Sequence, residues 1–116
     1  MDIYHIWCDT RPGVQDTDFA AALERWMAHL ANEGLIEGWR LSRRKLGLGP
    51  RELGEFHVTV ETRDMSQLEA AFQAAASRAE PHESVHQGVN SLARNLTFAL
   101  YRDFPDEVRK RGQERF

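Results

Sequence analysis

One cysteine, Cys8, stands among 116 residues, so no disulfide can form within the chain. A lone thiol suits a reducing compartment, and a cytoplasmic protein is expected. Long apolar runs are missing, and none approaches the roughly 20 residues of a membrane span, so no membrane partner is expected. The opening Met1-Asp2-Ile3-Tyr4-His5 has no basic stretch followed by an apolar one, so no signal peptide is expected. Basic charge is also in short supply. Fifteen Lys and Arg face 18 Asp and Glu, a formal net charge of −3. Nucleic-acid-binding domains usually carry a positive field, so no nucleic-acid partner is expected. A glycine-rich phosphate loop and a Gly-x-Ser-x-Gly turn are both absent. No position offers a haem or flavin motif, and neither a cofactor nor a metal is expected.

What is present describes one globular domain spanning residues 1–116, with 41% hydrophobic and 28% charged residues. Ile3 to Asp9 alternates two sets of β-branched and aromatic residues and predicts a strand, ended by Arg11-Pro12-Gly13. Asp16 is placed to cap a helix. Phe19, Leu23, Trp26, Met27 and Leu30 then form one apolar stripe at helical spacing, and Gly34 ends it. A second strand is predicted from Leu35 to Leu46, and a turn through Gly47, Gly49, Pro50 and Gly54. A third strand runs from Glu55 to Glu61. Asp64 with Gln67 three residues on reads as a capping box. It opens a helix striped by Leu68, Ala71, Phe72, Ala75 and Ala79 and ended by Pro81. His82 to Arg94 fits either a short helix or an ordered loop. Asn95 to Arg102 is the fourth strand, and the tail from Asp103 to Phe116 reads as part helical and docked.

The order strand, helix, strand, strand, helix, strand is the split βαβ pattern of a ferredoxin-like sandwich. A four-stranded antiparallel sheet should carry both helices on one face. The covered face takes Tyr4, Ile6, Cys8, Trp39, Leu41, Phe56, Val58, Val60, Leu96, Phe98 and Leu100. The open face takes the alternate residues, and hairpin geometry opposes Arg44 to Glu55, Ser42 to His57 and Arg40 to Thr59.

Long stretches carry a family resemblance: Met1 to Asp9, Gly38-Trp39-Arg40-Leu41, Arg43 to Pro50, Gly54-Glu55-Phe56-His57 and Ala99 to Asp106. The chain resembles an uncharacterised family of short bacterial proteins within the dimeric α+β barrel superfamily. The resemblance implies a homodimer whose ferredoxin-like protomers pack open sheets face to face. The wider superfamily includes cofactor-free monooxygenases, haem-degrading enzymes, muconolactone isomerases and stress-responsive proteins. It supplies no shared catalytic signature.

The open face collects the residues able to do chemistry: His5, Trp7, Arg40, Arg44, Glu55, His57, Thr59 and Tyr101. Two imidazoles on adjacent strands could move protons near neutral pH or, with Glu55, hold a metal. Equally, they could be hydrogen-bonded interface residues. Arg40 and Arg44 could hold an oxyanion or pair with Glu55 and Glu61. Trp7 and Tyr101 could wall an aromatic ligand or seal an interface. His82 and His86, four apart beside Glu83, have ligand-capable spacing. Cys8 shares its parity with Tyr4 and Ile6 and reads as a core residue, not a nucleophile.

These residues support two readings. In the first, a small-molecule binder or cofactor-independent enzyme has a polar pocket between the partners' sheets, taking a small anionic or phenolic ligand. In the second, a non-catalytic dimeric module uses the same residues as a seam. An RNA-binding use of the topology would want stacking aromatics where His57 and Thr59 stand.

Overall fold

The computed structural model describes residues 1–106. The expected part-helical, docked tail therefore lies mostly outside the described residues. The chain forms β1 (Asp2–Thr10), α1 (Asp16–Asn32), β2 (Gly38–Arg43), β3 (Phe56–Thr62), α2 (Met65–Ala76), α3 (His82–Asn90) and β4 (Ala93–Arg102). The four strands form one sheet in the order β2-β3-β1-β4, with every neighbouring pair antiparallel. This is the ferredoxin-like order expected of the sequence, with a third helix added. Of the stretch left open between helix and loop, His82–Asn90 is helical, despite Gly88 and Asn90, and β4 begins at Ala93 and not Asn95.

Local chemistry explains most element ends. The whole apolar stripe of α1 is buried: Phe19, Leu23, Trp26, Met27 and Leu30, together with Ala22. Gly34 follows in the left-handed region at φ 72°, and Leu35 N–H closes back on the Leu30 carbonyl at 2.9 Å. That turn consumes the residues assigned to the start of β2, which begins at Gly38 and not Leu35. At its other end β2 stops at Arg43, because Leu46 and Gly47 both adopt positive φ.

Asp16 is the first helical residue of α1 and not its cap. Gln15 holds the N-cap position, with no side-chain bond to the helix. For α2 the sequence reading was closer. Asp64 Oδ1 accepts from Gln67 N–H at 2.8 Å. The return arm differs, because Gln67 Oε1 accepts from Arg63 N–H, one residue before the cap. Gln67 Nε2 also donates to the Gly34 carbonyl and ties α2 to the end of α1. Helix α2 ends at Ala76, well short of Pro81, so Ala79 falls outside it.

The core lies between sheet and helices, where Phe19, Leu68, Val58, Thr62 and Cys8 are the most deeply buried large side chains. Side-chain parity follows expectation, but the helical cover is uneven. The helices come closest to β2 and β3, where α1 meets β2 and α2 meets β3. On β4, the expected core residues Leu96, Phe98 and Leu100 remain 43%, 56% and 48% exposed. Phe72 of α2 is similarly exposed.

Gly54 is the most tightly packed of the glycines. A Cβ there would lie 2.4 Å from the backbone carbon of Cys8. The chain must pass against β1 at this point so that Glu55 N–H can reach Asp9 Oδ1 at 2.9 Å. Gly54→Ala should therefore cost at least the roughly 1–3 kcal/mol typical of overpacking. Chemical denaturation should show a lowered midpoint, and an unchanged one would mean that the strand yields at no cost.

Candidate functional site

The open face brings together most of the residues the sequence singled out. Trp7 pairs with His57, and His5 with Thr59, across β1 and β3. Arg40 pairs with Thr59 and Ser42 with His57 across β2 and β3, in the expected register. Arg44 N–H donates to the Glu55 carbonyl at 2.8 Å and extends that register by one more pair.

The rings form a ladder. Trp7 stacks on His57 at 4.5 Å and 3°, and His5 on His57 at 5.2 Å and 13°. Tyr101 meets His5 edge-on at 4.9 Å. His5 Nδ1 and His57 Nε2 are 2.9 Å apart, so one ring donates and the other must be neutral to accept. Burial lowers the pKa of His5. Burial, and then the neighbouring His5, lowers that of His57.

The charged residues are less available. Arg44 Nη2 donates to the carbonyls of Pro50 and Leu53, both at 2.7 Å, and so staples the loop before β3. Gly49 leaves room for this guanidinium, since a Cβ there would sit 2.7 Å from Arg44 Nε. Glu55 accepts from Arg43 Nε at 3.1 Å, and Arg43 reaches Asp16 as well at 2.9 Å. The expected pairing of Glu55 with Arg40 or Arg44 is thus made by Arg43, whose guanidinium also lies 5.1 Å over the Phe56 ring. Arg40 is exposed. An open cleft of about 220 Å³ is bordered by Trp7, Arg44, Glu55 and His57, and it does not include His5, Arg40, Thr59 or Tyr101.

Sequence reasoning missed a second feature on the other side of the sheet. A cavity of about 310 Å³ lies between the helices and the sheet. Its buried floor includes Phe19, Leu23, Met27 and Val58, and its exposed rim includes Phe72, Leu96 and Phe98. The Tyr4 ring stands between Phe72 and Phe98, at 5.0 and 5.9 Å. Cys8 also lines the space, and burial, aided by nearby Asp9, pushes its thiol up to about 11. It is inert at neutral pH, as its parity implied.

Polar character enters from α3, through His86 and Asn90. His86 packs 4.8 Å from the Trp26 ring, and burial lowers its pKa against the opposing effect of a hydrogen bond to the Ala75 carbonyl. His82 bonds not to His86 but to His29 of α1, at 2.6 Å. Among the described residues, no three His, Cys, Asp or Glu side chains are arranged to hold a metal ion. No helix among them is long and apolar enough to cross a membrane. A wider cleft of about 440 Å³ at the sheet end is bordered by Asp2, Arg63, Arg102 and Asp103. Its Asp2 and Arg102 are already paired, with Arg102 Nη2 at 3.1 Å from Asp2 Oδ2.

One signal for the cavity was present in the sequence. Where α1 turns large side chains inward, α2 offers the small Ala75 beside Phe72. A side chain that small leaves volume that nothing across the sandwich fills.

Fold and site together define a ferredoxin-like α+β protein with an apolar chamber behind its sheet and an aromatic ladder in front. The chain belongs to the family of unknown function DUF6614, which matches residues 1–116. No curated protein matches it. Solved structures share the fold at low identity. A variant of SnoaB, a cofactor-independent oxygenase from Streptomyces nogalater, is 9% identical with a TM-score of 0.68, covering 93% of this chain and 97% of its own. At3g17210 from Arabidopsis thaliana is 6% identical with a TM-score of 0.71, covering 93% and 100%. A dimeric ferredoxin-like protein of unknown function from Jannaschia sp. CCS1 is 14% identical with a TM-score of 0.62, covering 89% and 100%.

The imidazole pair makes stability depend on pH. In the folded protein both rings have pKa values below the ordinary imidazole value of about 6.5. Their contribution is present above pH 6.5 and is lost as pH falls through the lowered folded values, because the unfolded chain then takes up more protons. The melting midpoint should fall between pH 7 and pH 5, and less so in His57→Gln. An identical pH profile for the two proteins would remove the pair as the cause.

Proposed function

We propose that the protein is a homodimer that binds a small, largely apolar molecule in the chamber between sheet and helices of each protomer. The observation that carries this reading is the chamber itself. Protein interiors pack at crystal density, with few voids larger than a water. A space of about 310 Å³ with an apolar floor and an exposed aromatic rim is the form of a ligand site. The rim explains why Phe72, Leu96 and Phe98 stand half in water: they border the way in. SnoaB, which shares the fold, is a cofactor-independent oxygenase. That supports a site whose chemistry, if it has any, needs no bound cofactor.

The binding test uses naphthalene and a variant that fills the chamber. Naphthalene should raise the melting midpoint of the wild type, by mass action on the folded state. Ala75→Leu should fold, melt at or above the wild-type temperature without ligand, and lose most of the naphthalene shift. If naphthalene gives no shift, or shifts Ala75→Leu equally, the chamber is not a binding site.

The dimer rests on the open face. Trp7, His5 and His57 form a half-buried aromatic surface there, flanked by Tyr101 at 61% exposure. Tyr and Trp in such a patch are typical of interface cores. The dimeric neighbour from Jannaschia supports the same reading. A polar pocket completed by the partner is a second reading, favoured by the cleft at Trp7, Arg44 and His57. A small anionic or phenolic ligand would sit there, enclosed by the second sheet. Because Arg44 already serves two loop carbonyls, the seam is the stronger use of this face. Trp7→Glu should convert a dimer into a folded monomer in sedimentation velocity. A wild-type monomer at micromolar concentration would end the dimer proposal.

A further inference from the structure

We infer that the chamber selects apolar molecules carrying one hydrogen-bond donor, and that His86 is the residue that reads that donor. This rests on the reading of the chamber as a ligand site and gives its ligand a chemical class.

Most of the lining is hydrocarbon or aromatic ring, so the body of the ligand must be apolar. Four polar side chains reach the lining: Tyr4, Trp26, His86 and Asn90. Trp26 has an indole N–H and can only donate. Tyr4 sits at the rim between Phe72 and Phe98. Asn90 is exposed at the last turn of α3, where water reaches its amide. His86 is partly buried, as Tyr4 is, but its ring packs inward against the buried Trp26.

Its chemistry follows from its backbone partner. The Ala75 carbonyl can only accept, so the His86 nitrogen that meets it carries the hydrogen. In neutral imidazole the second ring nitrogen is then bare and is an acceptor. A ligand that fills the chamber strips water from that acceptor, and leaving it without a donor is then costly. A hydroxyl or N–H on an otherwise apolar ligand meets that need, whereas an ether or plain hydrocarbon does not. The space also suits the class. An apolar protein cavity of about 150 Å³ admits benzene, and this one has about 310 Å³, enough for a two-ring body.

The test compares 2-naphthol, 2-methoxynaphthalene and naphthalene by equilibrium dialysis against wild type, His86→Leu and His86→Gln. A hydroxyl gives up water to enter the chamber, so it gains affinity only if a partner waits inside. Wild type should bind 2-naphthol several-fold and up to about tenfold more tightly than either donor-free probe, the worth of one net hydrogen bond. His86→Leu should keep naphthalene binding and lose the preference. His86→Gln, whose amide oxygen can accept, should retain part of it. Equal binding of all three probes to wild type, or an unchanged preference in His86→Leu, would overturn the assignment to His86 while leaving the chamber a ligand site. Failure of naphthalene itself to bind would overturn the chamber reading, and this inference with it.

Discussion

Everything in this fold depends on β1 being paired along both edges. It pairs with β3 from Asp2 to Cys8 and with β4 on its other side, with a register shift between Trp7 and Asp9. A strand held on both sides cannot slip, because a one-residue slip would exchange its two faces. Tyr4, Ile6 and Cys8 are therefore committed to the helices, and His5 and Trp7 to the open side. Because both side-chain sets are largely apolar or aromatic, β1 builds a hydrophobic surface in each direction. One is roofed by helices, and the other calls for a second sheet.

The roof is incomplete for a reason that can be read in its parts. Helix α1 turns Phe19, Leu23, Trp26 and Met27 to the space, whereas α2 buries Leu68, Ala71 and Ala74 elsewhere and offers only Phe72 and Ala75. The small Ala75 leaves room beside those large residues, and β4 extends beyond the cover that the helices provide. Its Leu96 and Phe98 keep the parity of core residues yet stand in the rim. Helix α3 then adds His86 and Asn90 to a lining that already holds Tyr4 and Trp26, so the segment with the weakest pattern in the chain contributes half of its polar side chains.

How far the sequence was legible follows the range of each interaction. The β2–β3 register was readable because alternation and a glycine-rich turn leave few alternatives, but the β1–β3 register that sets Trp7 beside His57 was not, since no short turn joins those strands. The capping pair Asp64 and Gln67 was readable because it is local. Helix α3 was not, since Gly88 and Asn90 are poor helix formers and packing overrides their preference. The roles of Arg43 and Arg44 were hidden too. Which guanidinium reaches Glu55 and which staples the loop is decided by a turn containing two consecutive positive-φ residues, Leu46 and Gly47. The chamber was hardest to foresee, because a volume belongs to the distance between elements and not to any one of them.

The two faces share a strand but none of their working side chains. Ile6 and Cys8 touch the chamber, Trp7 and His57 form the ladder, and the backbone between them is pinned by hydrogen bonds on both edges. Ala75 and His86 reach only the chamber, from helices that do not approach the open face. Changes at sites without shared partners add nearly independently. A change on one face should therefore leave the side chains of the other in place. The walls of the chamber come from this chain's own sheet and helices, and the ladder's side chains take no part in them.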